Sequence, residues 1–398
     1  MADGAGLPTG GDPGVSNTTA PRIRDGLRDV TLAFVGARVL LAVVSVVGSG
    51  ILTLPQDQPT GVPGWPAREP DQGWVALVTA TERQDALWYL RIATDGYTTI
   101  DASAAFFPGY PLLIRAVDVV PGVGPLGAAL VVAHVATFVA LLLLHALTRL
   151  ELRGDDARRA VVLLALFPTA FFLLSPYAEA PFLALSIACF WFARRSRWWW
   201  AAAAGAGAAF TRSVGVLLVV GLATEALAAW RRRSVSPVPG LAAAAGVFAG
   251  PLLVAAYWRA SAGETFAALD AQRNWARETA VPLETLWTSI RYAATYQTYW
   301  LIDLVVVGVV VAGIVVAARH VALGYTTYAA ASVLLPLTFP FPDRPLLSMP
   351  RFVLVIFPAF WGLAIAGRRP AVHTALVAGS AAGYALLGVL FINWHYIF

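Results

Sequence analysis

Long apolar segments alternate with short, arginine-bearing polar segments along most of the chain. Runs close to the ~20 residues that cross a bilayer lie at about 30–54, 126–148, 178–193 and 241–258. No polar block is long enough for a separate soluble domain. The pattern predicts an all-α polytopic membrane protein, with about eleven transmembrane helices in one domain spanning 30–398.

The arginine clusters predict the topology. Residues 1–29 are expected to form a disordered cytoplasmic tail, because 1–21 are rich in Gly, Pro, Ser and Thr and lack an apolar core. Without a visible cleavable signal peptide, the first span should remain as an anchor. The positive-inside rule then places this tail in the cytoplasm, and each later arginine cluster marks a further cytoplasmic turn.

The interval between Trp198 and Trp230 has basic clusters on both sides. One long helix would place those clusters on opposite membrane faces, whereas two short helices would keep both on the cytoplasmic face. We therefore expect two helices that meet near Thr211–Gly215, with a single long helix as the alternative.

This topology predicts two extracytoplasmic loops, at about 55–125 and 259–297. The first contains RQDALWYLRIATDGYTTIDASAAFFPGYP (83–111), a segment rich in acidic and aromatic residues. A carboxylate beside aromatic residues at a membrane face is costly and therefore indicates a functional site. Residues 83–95 should form an amphipathic interfacial helix, with Trp88, Tyr89 and Ile92 at the headgroups.

Composition narrows the function. Apolar residues make up 58% and charged residues 13% of the chain, against about 25% charged in an average soluble domain. All 28 basic residues are arginine, and their spread between apolar runs favours a topological role over nucleic-acid binding. Without lysine there is no Walker motif, and the five histidines lack zinc-type spacing. The single cysteine, Cys189, excludes an intrachain disulfide.

Four stretches, in order, carry a family resemblance. They are RQDALWYLRIATDGY (83–97) with AFFPGYPLLIR (105–115), FPTAFFLLSPYAEAPF (167–182), FTRSVG (210–215) and RPLLSMPRFVLVIFPAF (344–360). The set resembles the PIG-V-like mannosyltransferases, members of the GT-C class of multispanning glycosyltransferases. One departure is Gln84, which stands where the family commonly has tryptophan.

The resemblance implies a GT-C-like fold and inverting transfer of mannose from polyprenyl-phosphate-mannose to a glycolipid or glycan hydroxyl. The reaction would take place on the extracytoplasmic face of a plasma membrane, with residues 55–125 as the catalytic loop. No cofactor is expected beyond the lipid-linked donor, and the resemblance implies a metal-independent site. The arginine-only composition suggests a GC-rich genome and hence a bacterium.

The candidate site residues follow from the motifs. Asp85 is the expected general base, since a carboxylate can accept the proton of the acceptor hydroxyl. Arginines can bind a lipid phosphate through bidentate contacts, and the candidates are Arg91, Arg115, Arg212 and Arg351. The expected supporting residues are Tyr89, Tyr177, Glu179 and Asp95, with Asp101 as an alternative acidic candidate.

Other interpretations remain open for these residues. Arg91 and Arg115 could extend to the headgroups, and Asp95 could cap a helix. Glu179 and Arg212 could form an ion pair that holds two helices together. At the level of the whole protein, the alternatives are a transporter or flippase with charges along a pathway, and another GT-C activity such as protein O-mannosylation or pentose transfer.

Overall fold

The computed structural model describes residues 20–49, 62, 65, 72–97, 102–232, 236–263, 265, 279–296 and 298–395. Throughout these ranges the regular elements are helices. The α-helices in the first half are α1 Ala20–Gly48, α2 Ala76–Thr79, α3 Asp85–Asp95, α4 Gly109–Asp118, α5 Gly124–Glu151, α6 Gly154–Ala165, α7 Glu179–Arg194 and α8 Trp198–Thr211.

The second half continues the helical pattern. Its α-helices are α9 Leu218–Arg231, α10 Val238–Gly246, α11 Ala249–Ala262, α12 Pro282–Tyr296, α13 Tyr299–Ala317, α14 Leu323–Leu337, α15 Met349–Leu354, α16 Phe357–Ala366 and α17 Pro370–Ile392. Short 3₁₀ turns lie at Gly73–Val75, Ala102–Ala105, Ala170–Leu174 and Ser213–Leu217.

Six of the described helical segments are long and apolar enough to cross a membrane. They lie in α1, α5, α9 with its preceding turn, α10 with α11, α13 and α17. Helices α14 and α16 are apolar but shorter. An all-helical polytopic membrane protein is therefore supported, whereas the expected total of about eleven spans is not confirmed.

The first helix begins earlier than the sequence pattern indicates. Helix α1 starts at Ala20, ahead of the span start expected at about residue 30, so residues 20–29 are helical. Its membrane-compatible part is Asp25–Gly48. Residues 1–19 of the expected tail and residues 50–61 after the helix lie outside the described residues.

The helix break near Thr211–Gly215 is confirmed. Helix α8 ends at Thr211, Arg212 has extended backbone, and a 3₁₀ turn leads into α9. In the second half of α9, Glu225 accepts a 2.8 Å hydrogen bond from Arg194 at the end of α7. Arg194 also binds Glu151, the last residue of α5. The ends of α5 and α7 thus meet the second half of α9, so the basic clusters after α7 and α9 lie towards the same end of the bundle.

Small residues permit the closest helix contact, between α13 and α16. A Cβ atom added at Gly362 would overlap the carbonyl oxygen of Gly313, and one at Gly313 would lie 2.5 Å from the carbonyl oxygen of Ala359. Membrane helices associate largely through such backbone-to-backbone packing. This contact holds α16 against α13. Helix α16 directly follows α15, the helix that carries Arg351.

We predict that Gly362→Ala lowers the free energy of unfolding by ~1–3 kcal/mol, because the added methyl group overlaps the backbone of α13. Gly308→Ala on α13 is the control, because its added Cβ meets no atom within 4 Å. Thermal unfolding in detergent measures both variants. Equal melting temperatures would show that α13 and α16 do not pack this closely.

Candidate active site

Helix α3 forms at the expected place but is buried. It spans Asp85–Asp95, within the predicted 83–95. Trp88, Tyr89 and Ile92 are all buried. Trp88 stacks on Phe106 at 5.5 Å between ring centroids, and Tyr89 meets the same ring edge-on at 5.2 Å. The three side chains therefore do not face the headgroups as expected, because other residues of the protein, Phe106 among them, cover them.

Asp85 lies at the first position of α3. The preceding Gln84 has φ 51°, a left-handed value that is costly for a residue with a Cβ. Nearby amide groups at a helix N-terminus favour a carboxylate. The Asp85 carboxylate accepts a 2.5 Å hydrogen bond from Nη1 of Arg351. Arg351 comes from α15, which also follows a left-handed residue, Ser348 with φ 69°.

Two further charged residues complete the arrangement. Glu179 is the first residue of α7, and Arg212 follows the last residue of α8. Arg351 Nε lies 3.2 Å from Glu179 Oε1, and Arg212 Nη1 forms an ion pair with the same oxygen. These are ion pairs without aligned hydrogen bonds to Glu179. The pairing of Glu179 with Arg212 that the sequence suggested is thus present.

We call Asp85, Arg351, Glu179 and Arg212 the charge cluster. Its two carboxylates and two guanidinium groups balance in formal charge. The Asp85 side chain is 23% exposed, whereas that of Glu179 is 1% exposed. Asp85 is therefore the more accessible carboxylate of the cluster, and the buried Glu179 contacts both arginines.

Aromatic rings surround the Arg351 guanidinium. Its central carbon lies 5.5 Å from the ring centroid of Tyr177 and 5.4 Å from that of Phe352. Burial alone would lower the pKa of Arg351, but the Asp85 and Glu179 carboxylates outweigh burial and raise that pKa above its usual range. Arg351 is therefore positively charged at neutral pH.

Two tyrosines expected to support the site lie beside it. The rings of Tyr89 and Tyr177 meet edge-on at 6.3 Å between centroids. The Tyr177 hydroxyl donates a 2.9 Å hydrogen bond to the carbonyl oxygen of Arg83. Tyr177 therefore ties the start of the Asp85 helix to the segment just before α7.

The other candidates do not join the charge cluster among the described contacts. Arg91 is buried against Trp88, with its guanidinium carbon 5.4 Å from the ring centroid. Arg115 is exposed, and its Nε donates a 2.5 Å hydrogen bond to the carbonyl oxygen of Ala93 near the end of α3. Asp95 is exposed at that same end. Asp101 lies outside the described residues.

A buried pair near the site escaped the sequence reasoning. Arg344 donates two hydrogen bonds to Asp303, at 2.6 and 2.7 Å. Asp303 lies in α13, and Arg344 belongs to the segment that leads into α15. A lone aspartate in the apolar run WLIDLVVV could have revealed this pair, since a charge in such a run requires a partner.

A narrow cleft opens beside Arg212. Its enclosed volume is about 10 Å³, which is room for about one water molecule. The walls are mostly apolar, with Phe182, Val214, Phe352 and Ile356 among them, and Tyr328 and Ser332 also line the cleft. The cleft therefore places the Arg212 charge beside apolar side chains.

Part of the chain matches a known family. Residues 62–231 match the sequence profile of the family described as Mannosyltransferase (PIG-V). That range contains Asp85, Glu179 and Arg212, while Arg351 lies beyond it. No curated protein matches the chain at a significant level. Over this range the chain is similar to the PIG-V mannosyltransferases, and the match, together with the ordered motifs, supports a glycosyltransferase.

Proposed function

We propose that the protein transfers mannose from polyprenyl-phosphate-mannose to a hydroxyl of a glycolipid or glycan, with inversion and with Asp85 as the general base. The observation that carries this proposal is the charge cluster, which combines an accessible carboxylate with two arginines. We place the reaction on the extracytoplasmic face of a bacterial plasma membrane, in a GT-C-like fold.

The role of Asp85 follows from what inverting transfer requires. The acceptor oxygen attacks the sugar C1 opposite the departing phosphate, and a base must take the hydroxyl proton. Asp85 is partly accessible and is the first residue of α3. The Arg351 guanidinium occupies one oxygen of this carboxylate, so the acceptor hydroxyl must compete with it.

Donor binding would free this carboxylate for the acceptor hydroxyl. A phosphate offers oxygens that accept bidentate hydrogen bonds from arginine, so it competes with the carboxylates for Arg351 and Arg212. As the phosphate takes over Arg351, the Asp85 carboxylate is released to accept the proton of the acceptor hydroxyl. Both arginines then stabilise the charge that grows on the departing phosphate. In this proposal the guanidinium groups supply the positive charge, and no metal ion is required.

The cleft beside Arg212 supports a lipid-linked donor. Its apolar walls suit an isoprenoid chain, and Arg212 is placed to meet the phosphate at the head of that chain. As it stands the cleft has room for about one water molecule, so the donor must open it by moving its lining side chains or bind along the surface.

The clustering of charges favours an enzyme over a transporter. Four charged side chains meet at one end of α7, and the Arg194–Glu225 contact lies near its other end. A helix of 16 residues separates them by about 24 Å. A transport pathway would instead place polar groups at intermediate depth, and the α7 residues between its two ends are uncharged.

Asp85→Asn should abolish mannosyl transfer while donor binding is retained, because the amide cannot accept the proton and Arg212 still meets the phosphate. Purified protein would be assayed with radiolabelled polyprenyl-phosphate-mannose and a membrane glycolipid extract. Asp95→Asn is the matched control, since Asp95 lies exposed at the opposite end of the same helix.

Equal transfer by the wild type and Asp85→Asn would remove Asp85 from the mechanism. Loss of transfer in Asp95→Asn alone would move the base to the far end of α3. An inactive wild type that moves labelled lipid across vesicles would favour the transporter.

Arg212→Lys should raise the KM for the donor roughly tenfold, because lysine keeps the charge but cannot make the bidentate contact. Arg115→Lys should leave that KM within about twofold, since Arg115 instead binds the end of α3. Steady-state kinetics at varied donor concentration measure both. The reverse order of effects would place the donor phosphate beside α4.

A further inference from the structure

The end of the last helix contacts the residues just before Asp85. We call residues Ile392–His395 the C-terminal turn. Arg83 Nε donates a 2.8 Å hydrogen bond to the carbonyl oxygen of Ile392. Gln84 Nε2 donates a 3.0 Å hydrogen bond to the carbonyl oxygen of His395. Two successive side chains thus connect the start of α3 to a segment more than 300 residues away in sequence.

The C-terminal turn is itself anchored. The Asn393 side-chain amide donates hydrogen bonds to the carbonyl oxygens of Gly48, at 3.0 Å, and Val389, at 2.8 Å. Trp394 is buried, and its ring centroid lies 5.3 Å from the Arg83 guanidinium carbon. Because α1 and α17 both hold the turn, it presents its carbonyl oxygens from a fixed position.

The backbone at Gln84 has an unusual conformation that these contacts help to maintain. Its φ of 51° and ψ of −121° form a conformation that glycine adopts readily and other residues rarely adopt. A glutamine is held there with its side chain bonded to the turn. On the other side, the Arg83 carbonyl oxygen accepts the Tyr177 hydrogen bond. The strained peptide before Asp85 is therefore held from both sides.

We propose that the C-terminal turn positions the Asp85 carboxylate beside Arg351, with Arg83 and Gln84 as the positioning residues. This inference rests on the proposed function and extends it to residues that do not touch the substrate. It also assigns a role to Gln84, the position at which the chain departs from the family that it resembles. The contact restrains the peptide that precedes Asp85, so it sets where α3 begins and where its first carboxylate points.

The test is Gln84→Ala, which removes the hydrogen bond to the turn and leaves the charge cluster unaltered in composition. A misplacement of about 1 Å at a reacting group can lower the rate by 10²-fold. We expect kcat to fall roughly 10- to 100-fold, with the donor KM within about twofold because Arg212 and Arg351 remain. Gln72→Ala is the control, since Gln72 is exposed in the same loop.

Hydrogen–deuterium exchange provides a readout that does not depend on catalysis. In Gln84→Ala, the amides of residues 85–90 should exchange several-fold faster, while those of α5 remain as in the wild type. Unchanged exchange in residues 85–90 would overturn the proposal. So would faster exchange with an unchanged kcat, or a fall in kcat equalled by Gln72→Ala.

The two readouts also separate this proposal from the proposed function. Faster exchange with a lower kcat and an unchanged KM supports positioning. If the wild type transfers no mannose, the proposed function fails and the catalytic part of this inference fails with it. Exchange of residues 85–90 then still decides whether the turn holds the start of α3.

Discussion

The candidate site depends on the burial of one carboxylate, Glu179, between two arginines. An ionised side chain removed from water costs several kcal/mol unless an opposite charge meets it, and removing one partner of such a pair costs about 3–5 kcal/mol. Glu179 is almost fully buried, so Arg212 and Arg351 must both reach it. Arg351 in turn brings in Asp85. The ends of α3, α7, α8 and α15 must therefore converge.

The surrounding structure serves this convergence. Arg344 binds Asp303 and so holds the segment before α15 against α13. The packing of Gly313 against Gly362 then fixes the helix that follows Arg351. On the other side, Tyr177 holds the peptide before Asp85. Each approach to the charge cluster is thus restrained by a partner from a different helix, which preorganises the site before substrate arrives.

The same cluster explains how stability and activity can coexist. Its formal charges balance, so the resting protein carries no uncompensated ion at the site. Each contact is with a carboxylate, and a phosphate has the same hydrogen-bonding geometry for arginine. In the proposed reaction a phosphate can therefore displace Asp85 from Arg351, and the released carboxylate can accept the proton of the acceptor hydroxyl.

Several features could be predicted from the sequence because they depend on local pattern. Long apolar runs indicated a helical membrane protein, since a helix satisfies its own backbone hydrogen bonds in lipid. The basic residues around Trp198–Trp230 indicated the break at Arg212. The ordered motifs indicated the family, and lone charges in apolar surroundings marked Glu179 and Arg212 as residues that need partners.

Tertiary structure alone decided which of these residues meet. The periodicity of α3 predicted that its aromatic side chains contact the headgroups. In the structure, aromatic rings from other segments cover them instead. Arg91, Arg115 and Arg351 were equal candidates for the site by residue type, and packing selected Arg351, 266 residues beyond Asp85. Local hydrophobicity determines whether a segment forms a helix and enters a membrane. The pairing of distant charges depends on how helices pack, and residue order within a single segment does not encode that packing.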